Sequence, residues 1–192
     1  NIATTYDGVT IDIQNSETFS CTFFNHLQPP ISKNVQLVNQ LGGRSFAVTL
    51  QGDYAYLGEG PRLAVLDISD PDNPTRIGRT NVLPDVVQDI VVSGDFAYVA
   101  AGGSGLRVID ISNPLNPKQV GLFSRRGDNH YAKSVTVVED LAYVASGDYQ
   151  FYVFDISNPG EPFIIGSYYA YGEVRDVAVA ENYAYLAKAR YL

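Results

Sequence analysis

A strand-and-turn motif recurs three times along this chain of 192 residues. It reads LAVLDISDPDNP at 63–74, LRVIDISNPLNP at 106–117 and FYVFDISNPGEP at 151–162. Apolar and β-branched side chains fall on both faces of the run, which is typical of a strand that is packed on both sides. Proline disfavours helix for the residue before it and has no backbone N–H, so the strand must stop at the first proline. The motif therefore predicts a buried strand that ends in a turn.

The spacing of this motif is nearly constant. Asp67 and Asp110 lie 43 residues apart, and Asp110 and Asp155 lie 45 residues apart. A second motif recurs in step with it, as DYAYLGEG at 53–60, DFAYVAAG at 95–102, DLAYVASG at 140–147 and NYAYLAKA at 182–189. Four short antiparallel strands in each unit of about 40–45 residues predict an all-β fold, a β-propeller with four-stranded blades. A β-sandwich would not require so strict a period.

The repeats also set the expected organisation of the chain. The strands of the second unit are predicted at 89–94, 96–101, 106–112 and 118–124. Blades are expected at about 44–87, 88–132 and 133–174, with a partial blade at 175–192, so about three and a half blades are present. An outer strand is expected at about 34–41, which extends the propeller region to 34–192. Residues 27–33, which include Pro29-Pro30, are predicted to be a linker.

These motifs together resemble the LVIVD repeat, a propeller-type repeat of bacterial and archaeal surface and secreted proteins. The resemblance covers about residues 34–192 and includes the segments LRVIDISNP and DFAYVAAG in register. It implies a propeller fold and an extracellular or cell-surface address. It implies no particular reaction.

The first 26 residues have a different pattern. Two alternating runs, 8–14 and 17–25, flank an Asn-Ser-Glu turn and predict a β-hairpin. The second run, ETFSCTFFN, is similar to the closing strand of Ig-like or prealbumin-like modules of surface proteins. That resemblance implies a disulfide between Cys21 and a partner outside this segment, and with it an oxidising compartment. A buried free thiol is the alternative for Cys21.

Composition and charge restrict the partners that we expect. The chain has 13 basic and 21 acidic residues, a net charge of −8, which argues against a nucleic-acid or anionic-membrane surface. No apolar stretch approaches the roughly 18 residues of a membrane helix. Methionine is absent, even at position 1, so we expect a processed, trimmed or incomplete N-terminus. No cofactor is expected, and the expected partners are other protein domains or copies of the same chain.

One candidate ligand site follows from the propeller topology. Residues that precede each innermost strand align as Arg44, Gln88, Lys133 and Arg175, followed by Ser45, Asp89, Ser134 and Asp176. In a propeller this position lies near the mouth of the central channel, where three cations could hold a carboxylate or phosphate. In the alternative, Arg44, Lys133 and Arg175 pair with Asp89 and Asp176 or face water.

Other residues are candidates for metal-binding, adhesive or catalytic sites. Asp67, Asp70 and Asp72 crowd one turn and give a calcium alternative to simple turn capping. Arg126-Gly127-Asp128 spells an adhesive tripeptide, but short matches occur by chance. His26, His130 and Cys21 lack partners at metal-ligand or catalytic spacing. We therefore expect a structural or protein-interaction module rather than an enzyme, with an enzyme or lectin-like domain that uses the channel mouth as the alternative.

Overall fold

The computed structural model of the chain describes residues 45–123 and 131–189, and the backbone of two short strands near the N-terminus. Residues 1–41 and 42–192 form two compact units. All regular elements in the described ranges are β-strands. None of the described residues belongs to a helix of the length and hydrophobicity needed to cross a membrane.

In the N-terminal unit, β1 (Thr4–Tyr6) pairs antiparallel with β2 (Val9–Ile11). Strand β2 lies in the predicted run 8–14, but its partner β1 was not predicted. The two residues between these strands are Asp7 and Gly8, a dipeptide that favours tight hairpin turns. The second predicted run, 17–25, and Cys21 lie outside the described residues, as do the linker 27–33 and the expected strand 34–41.

The second unit consists of antiparallel sheets whose strands follow one another in chain order. Blade 1 contains β3 (Ser45–Gln51), β4 (Tyr54–Glu59), β5 (Leu63–Asp67) and β6 (Thr75–Arg79). Blade 2 contains β7 (Asp89–Ser93), β8 (Phe96–Ala100), β9 (Leu106–Asp110) and β10 (Lys118–Phe123). Blade 3 contains β11 (Ala132–Val138), β12 (Leu141–Ser146), β13 (Gln150–Asp155) and β14 (Phe163–Tyr169). Half-blade 4 contains β15 (Glu173–Ala180) and β16 (Tyr183–Ala189).

This arrangement confirms the predicted fold class. The chain is an all-β propeller built of four-stranded antiparallel blades, of which about three and a half are present. The four strands predicted in the second unit coincide with β7 to β10 to within two residues at each end. The innermost strands of successive blades lie next to one another, β3 beside β7, β7 beside β11 and β11 beside β15.

Apolar side chains fill the space between successive blades. Tyr56 and Val65 of blade 1 share a core with Ile90 and Val99 of blade 2. The repeat places the same residue types between blades 2 and 3, where Tyr98, Val108, Val135 and Val144 pack together. A third core joins blade 3 to half-blade 4 through Phe151, Val174 and Val177. Because blade 2 has a neighbouring blade on either side, apolar residues appear on both faces of its central strands β8 and β9, as the sequence indicated.

The aspartate of the repeated motif organises the turn that follows the third strand. Asp110 Oδ1 accepts hydrogen bonds from the backbone N–H and the hydroxyl of Ser112, at 2.9 and 2.6 Å. In blade 3, Asp155 Oδ1 accepts the same two bonds from Ser157, at 3.0 and 2.6 Å. Ser112 holds the pKa of Asp110 below its usual value, and Ser157 does the same for Asp155, mainly through the hydroxyl groups. The carboxylates therefore hold the turns.

Candidate functional site at the channel mouth

The candidate cations lie where the innermost strands begin. Lys133 is the extra residue of a β-bulge between Ala132 and Ser134, and Arg175 is the extra residue of a bulge between Val174 and Asp176. A bulge leaves its extra residue out of the ladder and changes the direction of its side chain. Both cations therefore leave the regular alternation of their strands at equivalent positions of successive repeats.

A buried carboxylate joins these two cations. Lys133 Nζ forms an ion pair with Glu173 Oε1, and the Arg175 Nε and Nη2 groups donate to Glu173 Oε2 at 3.4 Å each. Glu173 was not among the predicted site residues. Its equivalents in the preceding repeats are Tyr131 and Val86, so the departure from the repeat was a usable signal. The carboxylate balances one of the two positive charges.

The surroundings of Lys133 disfavour its charged form. Burial, and then the neighbouring Arg175 guanidinium, lower the pKa of Lys133 below its usual value. Its ammonium also lies 5.8 Å from the centre of the Tyr131 ring, within the range of a cation–π contact. Glu173 and the Tyr131 ring offset part of the cost of burying this charge.

The two predicted carboxylates have a different role. Asp89 Oδ2 accepts a hydrogen bond from the Val135 N–H of the next blade at 2.9 Å, and its Oδ1 accepts from Ile90 N–H. Asp176 Oδ1 accepts from the Ser134 hydroxyl of the preceding blade at 2.7 Å. The structure therefore places Asp89 and Asp176 between innermost strands, where they tie successive blades together. It does not pair either of them with Lys133 or Arg175.

An open depression of about 540 Å³ lies over these groups. Its lining residues are Gln88, Tyr131, Lys133, Gly147, Glu173 and Arg175. The Arg175 side chain is 63% exposed, so its guanidinium is accessible to a dissolved anion. Three of the four aligned residues, Gln88, Lys133 and Arg175, thus border one surface, whereas Arg44 lies outside the described residues.

The carboxylates of the first turn form turn hydrogen bonds. Asp67 Oδ1 accepts from Ser69 N–H at 2.9 Å, and Asp70 Oδ1 accepts from Asp72 N–H at 3.0 Å. Within residues 45–123 and 131–189, no group of three acidic, histidine or cysteine side chains is placed to hold a metal ion. Asp67 and Asp70 therefore form hydrogen bonds of the kind expected for turn capping. The tripeptide Arg126-Gly127-Asp128 and the residues His26 and His130 lie outside the described ranges.

The propeller repeats match a family of known proteins. A family model described as the LVIVD repeat matches residues 42–82, 86–124, 130–170 and 171–192. The chain belongs to the LVIVD repeat family. The first three matched LVIVD segments contain blades 1, 2 and 3, and the fourth contains half-blade 4.

Two solved structures of computationally designed proteins share the fold. The designed Ika4 protein has a TM-score of 0.65 and 14% identity over 81% of this chain and 93% of its own. The designed Ika8 protein has a TM-score of 0.61 and 13% identity over 75% of this chain, which spans 42% of the Ika8 chain. Among curated proteins, a sequence search finds no match to this LVIVD chain.

Proposed function

We propose that this LVIVD propeller is a non-enzymatic structural and protein-interaction module of an extracellular or cell-surface protein. The observation that carries the proposal is the exposure of a repeated tyrosine. Tyr56 and Tyr98 are 2% and 4% exposed because the following blade covers them, whereas the equivalent Tyr185 of half-blade 4 is 60% exposed. A large apolar residue that the repeat normally buries is thus presented to solvent, as at protein interfaces.

The opposite end presents a second surface of the same kind. Ile90 and Val135 are buried in the cores that join their blades to the preceding ones. The equivalent Val48 of blade 1 is 64% exposed. The propeller therefore has a leading face on blade 1 and a trailing face on half-blade 4, which differ from each other. Two different faces that bind each other are heterologous, and repeated head-to-tail use would produce an extracellular filament.

Substitutions on the two faces test this proposal. We expect Val48→Asp and Tyr185→Asp each to reduce association of the 192-residue chain, measured by sedimentation velocity, because a carboxylate disfavours burial of the face. Val82→Asp is the matched control, since Val82 is also exposed but lies on neither face. If all three variants sediment like the wild type, or lose association equally, the faces are not the binding surfaces.

The proposed extracellular or cell-surface location is tested separately, through Cys21. Its resemblance to the closing strand of an Ig-like surface module supports a disulfide to a partner elsewhere in the native protein. Mass spectrometry of the native protein isolated under alkylating conditions should find Cys21 oxidised. A reduced Cys21 in that protein would contradict both the disulfide and the oxidising compartment.

A ligand-binding role for the channel mouth is the second candidate, and the exposed Arg175 guanidinium favours it. The depression holds two cations and one carboxylate, so a small carboxylate or phosphate is the chemistry that it would accept. Isothermal titration with inorganic phosphate and with succinate should detect binding that Arg175→Ala removes. A lectin-like or enzymatic role would require binding at this surface, so the absence of heat with both anions and with simple sugars would count against it.

A further inference from the structure

The outer strands of blades 1 and 2 each receive the turn of the following blade at a glycine. Gly78 of β6 lies against the carbonyl oxygen of Pro114, and Gly121 of β10 lies against that of Pro159. A methyl group at either glycine would overlap the proline carbonyl. The interface between successive blades therefore depends on a residue without a side chain at this position.

The burial of each turn also depends on the blade that precedes it. In the turns of blades 2 and 3 the second prolines, Pro117 and Pro162, are buried. The turn of blade 1, which has no described blade before it, leaves Pro71 exposed and Pro74 only half-buried. The prolines of the turn are thus more buried where the outer strand of a preceding blade lies against the turn.

Blade 3 offers the same surface without a turn on it. Gly166 of β14 occupies the position of Gly78 and Gly121 in its repeat. The nearest atoms to a methyl group there are the Val153 Cβ and Cγ2 atoms of the same blade, at 3.8 and 3.9 Å. Two residues further on, Tyr168 is 58% exposed, whereas the equivalent Thr80 of blade 1 is 3% exposed.

Half-blade 4 leaves a strand position open beside this surface. Strand β16 pairs with β15 on one side, and no described strand pairs with its other edge. In blades 1 to 3 the equivalent second strands, β4, β8 and β12, pair there with the third strand that carries the Asp-Ile-Ser motif. An open edge of this kind is a template for the addition of an extended segment.

We propose that the β16 edge and the Gly166 surface together bind the third strand and turn of a further LVIVD-type repeat. The ligand is an extended apolar segment that ends in Asp-x-Ser-x-Pro. Its strand would pair with β16, and its first proline would place a carbonyl against Gly166. The argument is continuity with the two interfaces that the fold already contains. This inference deepens the proposed function, on which it rests, because it names the partner of the trailing end.

A peptide with the sequence of residues 104–117 tests the inference directly. We expect the fluorescently labelled peptide to bind the 192-residue chain saturably, measured by fluorescence anisotropy. Gly166→Val should weaken this binding at least tenfold, because its side chain fills the space of the proline carbonyl. The variant should keep the thermal melt of the wild type, since only Val153 lies near Gly166. A scrambled peptide is the control for nonspecific binding.

Each other outcome has a definite meaning. Equal binding to Gly166→Val, or equal binding of the scrambled peptide, overturns the inference. Absence of peptide binding overturns it too, and the proposed function survives in that case if Val48→Asp and Tyr185→Asp still reduce association. If Gly166→Val abolishes self-association while the peptide does not bind, the occupant is a second copy of the chain and the proposed partner is wrong.

Discussion

At the scale of single residues, the repeats show where one structural role is filled by different side chains. Gly52 and Gly94 adopt positive φ angles of 58° and 57° in the turn between the first two strands of their blades. Glu139 and Glu181 occupy the same turn in the later repeats, with φ angles of 53° and 52°. The left-handed region costs a residue with a Cβ atom roughly 1 kcal/mol or more, so the two glutamates are strained.

Replacement of Glu139 by glycine should therefore stabilise the propeller. We expect Glu139→Gly to raise the free energy of unfolding by about 0.5–1 kcal/mol, because relief of strain exceeds the added entropy of the unfolded chain. Urea denaturation measures the change. Gly94→Glu is the converse control and should destabilise, and a destabilised Glu139→Gly variant would contradict the interpretation of the turn.

The turn aspartates give a pH dependence with a definite sign. Ser112 lowers the pKa of Asp110 in the folded state. Asp110 therefore adds stability at pH values above its usual pKa of 3.8, and this contribution is lost as the pH falls through the lowered pKa. Ser112→Ala should raise the pKa of Asp110 towards the usual value, measured by NMR titration of the side-chain carboxyl carbon. Ser157→Ala should leave Asp110 unchanged and raise the pKa of Asp155 instead. An unchanged Asp110 in Ser112→Ala would contradict the assigned hydrogen bonds.

Arg107 is a buried cation in β9 that forms no ion pair with any described residue. Its Nε has no hydrogen-bond partner, and burial lowers the pKa of its guanidinium. Because a buried N–H group without a hydrogen-bond partner is costly, we expect Arg107→Met to raise the free energy of unfolding by about 1 kcal/mol or more. Thermal denaturation would show this as a higher Tm. A lower Tm would contradict the interpretation that burial of Arg107 destabilises the fold.

At the scale of strands and turns, the repeats predicted the elements of the fold more completely than the roles of individual residues. The period, the third strand and its turn were visible because the same apolar pattern and the same prolines recur. The role of the glycine in the outer strand was not visible, since the pattern does not say which backbone approaches it. Glu173 was not predicted either. It departs from the repeat, which has Tyr131 and Val86 at the equivalent positions, whereas the predicted site was inferred from the aligned cations alone.

The glycine contact between blades gives a matched pair of substitutions. A side chain at Gly121 would overlap the Pro159 carbonyl and lie 3.2 Å from Pro162 Cδ, whereas one at Gly166 would make only ordinary contacts with Val153. We expect Gly121→Ala to lower the free energy of unfolding by about 1–3 kcal/mol through displacement of the blade 3 turn. Gly166→Ala should change it by no more than about 0.5 kcal/mol. Equal effects in urea denaturation would contradict the blade-to-blade contact.

At the scale of the whole molecule, the central feature is a series of blades in which each is buried by the next. Closure into a ring removes the exposed faces and edges of propellers. Here the last blade contributes two strands, and both Val48 and Tyr185 are exposed. The sequence indicated the partial fourth blade through the number of strands. The side chains that remain uncovered could be identified only from the positions of the neighbouring blades.

Light scattering and thermal denaturation of the 192-residue chain over a range of concentrations test this account most directly. We predict a mass above the 21.0 kDa of one chain that grows with concentration, and a Tm that rises with it, because association stabilises the folded state. Regular fibres in electron micrographs are the expected result if the association is head-to-tail. A 21.0 kDa monomer at every concentration, with a cooperative and concentration-independent melt, would contradict the claim that the propeller requires partners at its open faces.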